Sequence, residues 1–141
     1  MALILIVDDD DMIRNALYEL LEEHHLCHMA EDAKKAISFL EEEEYDVVLS
    51  DLSMPGLSGL ELLGYVRLRQ PNTPVIIISG IGDTEHSEGI FNMGAFHYLL
   101  KPFKLDDVEA SIERALEHRR QLVEGKGRYE KQQGETTSSN V

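Results

Sequence analysis

Four aspartates stand in a row at positions 8–11, in "VDDDDMIR", directly behind the aliphatic run "LILIV". Adjacent like charges repel, so such a run needs solvent or a cation to be tolerated. Further along, Asp51 follows "VVLS", Ser79 closes "VIIIS", and Lys101 follows "YLL" and precedes Pro102. Each of these groups sits at the end of a short apolar run. Carboxylates, a hydroxyl and one ammonium gathered in one place are parts for holding a metal ion and a phosphoryl group. Whether they gather depends on the elements that carry them.

Apolar runs at 3–7, 26–30, 47–50, 75–79 and 96–100 alternate with segments of helical period. Ile13, Leu17, Leu20 and Leu21 mark one amphipathic helix, Ala33, Ala36, Ile37 and Leu40 a second, and Leu60, Leu63, Val66 and Leu68 a third. The segment 84–93 reads as a weaker, glycine-containing helix. The last helix is expected over 105–122, with Val108, Ile112, Ala115 and Leu116 on its apolar stripe and Asp106 and Asp107 in its first turn. Strands that are apolar throughout and joined by helices require a parallel sheet covered on both faces, so the expected fold is a doubly wound α/β sandwich. A flavodoxin-like, five-stranded sheet of order 2-1-3-4-5 makes the first and third strands neighbours. Asp8, Asp9 and Asp51 then meet beyond the carboxyl ends of those strands, with Ser79 and Lys101 on the same rim.

Three crowded carboxylates need a compensating cation. Oxygen ligands with no thiolate or imidazole beside them suit a hard ion that keeps several waters, which under cellular conditions means Mg²⁺. Lys101 and Ser79 would be surplus if the site held only the metal, so an anionic visitor is expected as well. A phosphoryl group fits, because its transfer is catalysed mainly by positioning and charge neutralisation. A carboxylate can itself accept the phosphoryl group. Asp51 is the best candidate, since it ends a middle strand and opens onto the cleft between the other groups.

The remainder of the sequence narrows the class. A chain of 141 residues, 43% hydrophobic and 28% charged, is expected to form one globular domain. Its formal charge of −14 argues against binding nucleic acid or an anionic membrane surface. Cys27 is the only cysteine, which leaves no internal disulfide, and it reads as a small core residue rather than a reactive thiol. "MALILIV" has no basic residue before its apolar run and meets Asp8 too soon for a signal peptide or membrane span, so a soluble, cytoplasmic protein is expected. His24 and His28 are four apart, but their segment crosses from helix end into strand, which disfavours a shared metal. The glutamate run at 41–44 reads as a solvated connection. Residues 1–122 are expected to form the domain, and the polar 123–141 a linker or disordered tail.

The blocks "ILIVDDDDMIR", "VVLSDLSMPGLSGLELL", "PVIIISG" and "GAFHYLLKPF", in register and each at its own strand end, resemble the receiver domain of two-component response regulators, in the CheY-like superfamily. The resemblance spans about 3–119. It implies that Asp51 accepts a phosphoryl group from a phosphohistidine on a sensor histidine kinase or histidine phosphotransfer protein. It further implies that Asp8, Asp9, Asp51 and the backbone carbonyl of Ser53 hold Mg²⁺, that Lys101 contacts the phosphoryl oxygens, and that the peptide joining Lys101 to Pro102 is cis. Ser79 and Tyr98 would act as the switch pair, shifting a population between two conformations. Asp10 and Asp11 are left for the start of the first helix, where they face its positive end. Implied partners are the kinase or phosphotransfer protein, a second copy in a phosphorylation-dependent homodimer, and an effector domain or separate protein. The kinase is expected near the first helix and acidic rim, and output on the segment from the fourth strand to the last helix.

Ser53 and Ile81 occupy positions that vary in this family and influence phosphate lifetime. Apolar Ile81 cannot orient an attacking water, so a lifetime unlike that of fast-cycling members is expected. Rival readings are weaker. An aspartyl-phosphate phosphatase would need a second acidic residue two places after the nucleophile, where Ser53 stands, so no turnover of an outside substrate is expected. An FMN protein would carry a Ser/Thr/Gly-rich phosphate loop where this chain is acidic. A phosphate-independent interaction module would have no need to retain Asp9, Asp51 and Lys101 together.

Overall fold

The computed structural model describes residues 1–80 and 92–140, with 126–140 described as backbone only. The expected helix at 84–93 lies almost wholly outside these residues, as does Ile81. Five strands, β1 (Leu3–Val7), β2 (Leu26–Ala30), β3 (Val47–Asp51), β4 (Val75–Ser79) and β5 (His97–Leu100), pair in parallel in the order β2-β1-β3-β4-β5. The helices among the described residues are α1 (Asp11–Leu21), α2 (Ala33–Glu42), α3 (Gly59–Arg69) and α4 (Leu105–Asn140). The fold is the flavodoxin-like sandwich expected from the apolar runs.

Strand side chains alternate between two buried layers, because successive residues point to opposite faces. Leu5, Val7, Val48 and Ile77 pack with Ala36 and Leu40 of α2 and Leu62, Leu63 and Val66 of α3. Ile4, Ile6, Leu49, Ile76 and Ile78 pack on the other face with Leu17 and Leu21 of α1 and Val108, Ile112 and Ala115 of α4. Each fully buried aliphatic side chain of this kind contributes about 2 kcal/mol. The first three helices begin at capping side chains: Asp10 accepts from the amides of Met12 and Ile13, Asp32 from Lys35, and Ser58 from Glu61. Glu41 and Glu42 are the last residues of α2, so the glutamate run is partly helical rather than wholly a connection.

At the amino ends of the strands, Arg119 of α4 ties several segments together. Its Nε donates to Asp46 Oδ1 at 2.9 Å and its Nη1 to the Asn72 carbonyl at 3.1 Å, while Asp46 Oδ2 accepts from the Leu3 amide at 2.7 Å. Three boundaries differ from the sequence pattern, the first being that β3 runs through Asp51 rather than ending at 50. β5 starts at His97 rather than 96, although the Phe96 amide still donates to the Val75 carbonyl at 2.8 Å; the Phe96 ring packs on His118 of α4, with centroids 5.0 Å apart. The backbone of α4 continues past Leu122 through Asn140. Helix hydrogen bonds are local and no proline interrupts 105–140, so the helical backbone does not depend on the apolar stripe, which the sequence carries only to about 122.

Candidate functional site

The strand order sets β1 between β2 and β3 with their carboxyl ends level, since Val7 pairs with both Ala30 and Ser50. Asp8 is the first residue beyond β1, and its amide still donates to the Ala30 carbonyl at 3.1 Å. Asp51 is the last residue of β3 and pairs with Ile78, one residue before Ser79 ends β4. Ser79 pairs with Leu100, and the Lys101 amide then donates to the Ser79 carbonyl at 2.7 Å. The parallel ladder thus delivers the four strand-end groups to one rim.

Ligand atoms of Asp8, Asp9 and Asp51 lie within 4.8 Å of one another. Asp8 is only 1% exposed; its Oδ1 accepts from the Asp10 amide at 2.8 Å, while its buried Oδ2 has no hydrogen-bond partner among the described residues. A buried carboxylate oxygen left unpaired is costly unless a cation satisfies it. Lys101 Nζ approaches from the β5 side, 3.2 Å from Asp51 Oδ1 and 3.8 Å from Asp8 Oδ2. Burial, reinforced by the neighbouring Asp8 charge, pushes the Asp51 carboxyl up to about 6 despite Lys101. Burial also raises Asp8, partly offset by the Asp10 amide and Lys101. One ammonium does not balance three carboxylates. The donor set is oxygen alone, with an orphaned buried oxygen and depressed acidity, and it fits a hard divalent cation.

Ser79 is fully buried at the end of β4, and its hydroxyl is hydrogen-bonded to the Tyr98 hydroxyl. Tyr98 therefore points toward the rim rather than away from it. The peptide between Lys101 and Pro102 is cis. Ser53, two residues past β3, is exposed. Asp10 caps α1 and Asp11 is its first residue. His24 and His28 do not share a helix: His24 lies in the turn after α1, and His28 is on β2 with its Nδ1 2.7 Å from the Tyr45 hydroxyl. Cys27 is buried, and its thiol is pushed up to about 11, first by burial and then by Glu22.

Two residues at the site escaped the sequence reading. Arg14 reaches back from α1 to donate from Nη1 to the Asp8 carbonyl at 2.7 Å, while its Nη2 pairs with Asp11. Its signal was faint: a cation near a helix amino terminus, where the dipole disfavours it. Gly59 opens α3 directly against β3, and a Cβ there would stand 2.3 Å from the Asp51 carbonyl oxygen. Spacing alone cannot show that a helix start and a strand end touch.

The model of the response regulator receiver domain family matches residues 4–113. The DNA-binding transcriptional regulator NtrC of Proteus hauseri is 40% identical over 117 residues, covering 82% of this chain and 25% of that protein. The chain spans about a quarter of the length of the curated relatives it matches. A response regulator receiver domain protein from Clostridium thermocellum superposes with a TM-score of 0.82 at 31% identity, over 86% of this chain and 99% of that one. The receiver domain of NtrX from Brucella abortus superposes with a TM-score of 0.77 at 36% identity, over 81% and 98%. With the acidic rim, the strand order and the family match in agreement, the chain belongs to the receiver domains of two-component response regulators.

Proposed function

We propose that Asp51 is the phosphoacceptor of this receiver domain and takes its phosphoryl group from a phosphohistidine on a sensor histidine kinase or histidine phosphotransfer protein. The carrying observation is a buried carboxylate at a strand end, with Lys101 at 3.2 Å and two further aspartates beside it. An Asp51 oxygen forms the new O–P bond as the N–P bond to the imidazole breaks, and the departing imidazole takes up a proton. The Lys101 ammonium and Ser79 hydroxyl donate to the phosphoryl oxygens, over which the charge of a loose transition state is spread. Asp8, Asp9, Asp51 and the Ser53 carbonyl would hold Mg²⁺, which when bound supplies neutralising charge to the phosphoryl group.

For the Ser79 hydroxyl to donate to the phosphoryl group, the Tyr98 hydroxyl must donate to Ser79. Their hydrogen bond supports a switch in which Tyr98 is held inward. Output then passes through the face that carries β5 and α4, where Leu100 and Leu105 are exposed. A phosphorylation-dependent homodimer, an effector domain or a separate partner protein would dock there. A monomer at all concentrations with a phosphate mimic bound would exclude the homodimer.

The kinase or phosphotransfer protein docks beside α1, where Met12 is 82% exposed next to the acidic turn. A separate groove of about 360 Å³ between α1 and α4 is lined by Leu20, Leu21 and Ile112, by Asp106, Glu109 and Glu113, and by His24 and His25. The strongly acidic surface disfavours nucleic-acid binding by this domain, and no described helix is long and apolar enough to cross a membrane. A cytoplasmic location fits a kinase-driven switch. Ser53 supplies no acid/base for turnover of an outside substrate, so the domain modifies itself and is not an enzyme toward other molecules.

The test is intact-mass spectrometry after incubation with Mg²⁺ and acetyl phosphate, beside an Asp51→Asn variant. A single base-labile phosphoryl adduct on the wild type alone, lost on chelation, is expected. No adduct with any donor would turn the reading to a phosphate-independent interaction module. Rapid hydrolysis of small phosphomonoesters would turn it to a phosphatase.

A further inference from the structure

The turn from β1 into α1 places four carboxylates on consecutive residues, and the structure gives each its own task. Asp8 receives the Asp10 amide, Asp9 joins the cluster with Asp8 and Asp51, Asp10 caps α1, and Asp11 pairs with Arg14. Arg14 grips the turn from the helix side, apart from the Ala30 carbonyl and Lys101 that meet Asp8 from the sheet. Helical side chains lean toward the amino terminus, so the guanidinium of this second-turn residue folds back over the turn. Nη1 donates to the Asp8 carbonyl at 2.7 Å, while Nη2 is held by the carboxylate of Asp11. The Arg14 side chain is 14% exposed, whereas that of Asp11 is 80% exposed. A cation near the positive end of a helix is electrostatically misplaced. Its location calls for a compensating role, and its partners identify one.

The peptide held by Arg14 joins Asp8 to Asp9, the two candidate ligands that come from this turn. We infer that Arg14 is a positioning residue for the acidic site: its planar fork locks the Asp8 carbonyl and so presets the directions of the Asp8 and Asp9 carboxylates before a cation arrives. The inference rests on the reading of Asp8, Asp9 and Asp51 as the Mg²⁺ seat. Arg14 acts in the manner of a second layer around a metal site, orienting ligands that it does not replace. The guanidinium suits this task because its rigid, planar fork presents separate nitrogens in fixed directions to the Asp8 carbonyl and the Asp11 carboxylate, whereas an ammonium on a flexible stem fixes no such geometry.

Charge and positioning predict opposite signs, which makes the inference testable. Removing a nearby positive charge would by electrostatics alone tighten Mg²⁺ binding; removing a positioning group would weaken it. The experiment is an NMR titration of the unphosphorylated chain with MgCl₂, following backbone amides near the site in wild type, Arg14→Gln, Arg14→Lys, Asp9→Asn and Leu17→Ala. Arg14→Gln is expected to raise the Mg²⁺ Kd by about ten-fold. Arg14→Lys keeps the charge and should still weaken binding, by a smaller factor. Leu17, buried under α1 and remote in role, reports general destabilisation: its variant should lower Tm and leave the Mg²⁺ Kd unchanged.

An unchanged or tighter Kd in Arg14→Gln overturns the inference while the metal seat stands, provided Asp9→Asn loses binding. Equal weakening in Leu17→Ala overturns it too, by reducing Arg14 to a folding contact. Wild type without saturable Mg²⁺ shifts, or Asp9→Asn binding as wild type does, defeats the metal seat itself. If Arg14→Gln does not fold, Arg14→Lys decides the inference by the same comparison.

Discussion

Lys101 Nζ lies 3.2 Å from Asp51 Oδ1 and 3.8 Å from Asp8 Oδ2, so one ammonium on the β5 side serves two buried carboxylates that come from β3 and β1. Removing it withdraws a charge that lowers the proton affinity of both. Lys101→Ala is expected to retain the fold but lose phosphoryl adduct formation on Asp51 by about a hundred-fold or more in rate, the scale of a lost transition-state donor. Mass spectrometry against time with acetyl phosphate reads this. A rate within two-fold of wild type would remove Lys101 from the mechanism.

The Asp51 carboxyl sits near 6 instead of its ordinary 3.8, chiefly through burial. An acid with a raised folded-state value binds its proton more tightly when folded, so its ionised form weakens the fold above about pH 6. That cost disappears as pH falls through the ordinary value. In a chelator, Asp51→Asn should therefore be more stable than wild type at pH 7, by up to about 3 kcal/mol, with the difference shrinking from pH 6 to pH 4. Urea unfolding at several pH values checks it, and a difference that ignores pH would contradict the burial account. Saturating Mg²⁺ should stabilise wild type and narrow the gap at pH 7.

Gly59 and Gly64 stand on the same helix with opposite surroundings. A Cβ at 59 would meet the Asp51 carbonyl oxygen at 2.3 Å and the Leu52 Cα at 2.9 Å, both backbone atoms, whereas a Cβ at 64 meets nothing within 4 Å. Gly59→Ala should destabilise by about 1–3 kcal/mol and slow Asp51 phosphorylation by shifting its carbonyl. Gly64→Ala should stabilise by about 0.5–1 kcal/mol through helix propensity. Urea midpoints of the two variants should move in opposite directions.

The Arg119–Asp46 pair fastens α4 to the start of β3, with Asp46 also receiving the Leu3 amide. Arg119 is only 15% exposed and holds the Asn72 carbonyl as well, so this is not a solvated surface pair. Arg119→Ala and Asp46→Ala should each cost about 1.5–3 kcal/mol. The double variant should cost less than the sum, with coupling of at least about 0.5 kcal/mol. A double-mutant cycle by urea unfolding measures it, and strict additivity would show that the contacts are independent.

Among the described residues, element types, their order and the convergence of Asp8, Asp9, Asp51, Ser79 and Lys101 were legible in the chain itself. Apolar strands and amphipathic helices announce a parallel sandwich, and in such a sheet every strand delivers its last residues to the same edge. Chemistry at strand ends is therefore written in linear order. Side chains that act by reaching elsewhere are not. Arg14 meets the Asp8 carbonyl six residues away through a helical turn, and Arg119 meets Asp46 across 73 residues, distances set by packing and not by spacing. The Asp8 Oδ2 without a hydrogen bond among the described residues and the raised Asp51 carboxyl likewise depend on burial, which exists only once the layers close. The long α4 shows the converse limit. The apolar period of the sequence runs only to Leu122, while the backbone hydrogen bonds that define a helix carry it to Asn140.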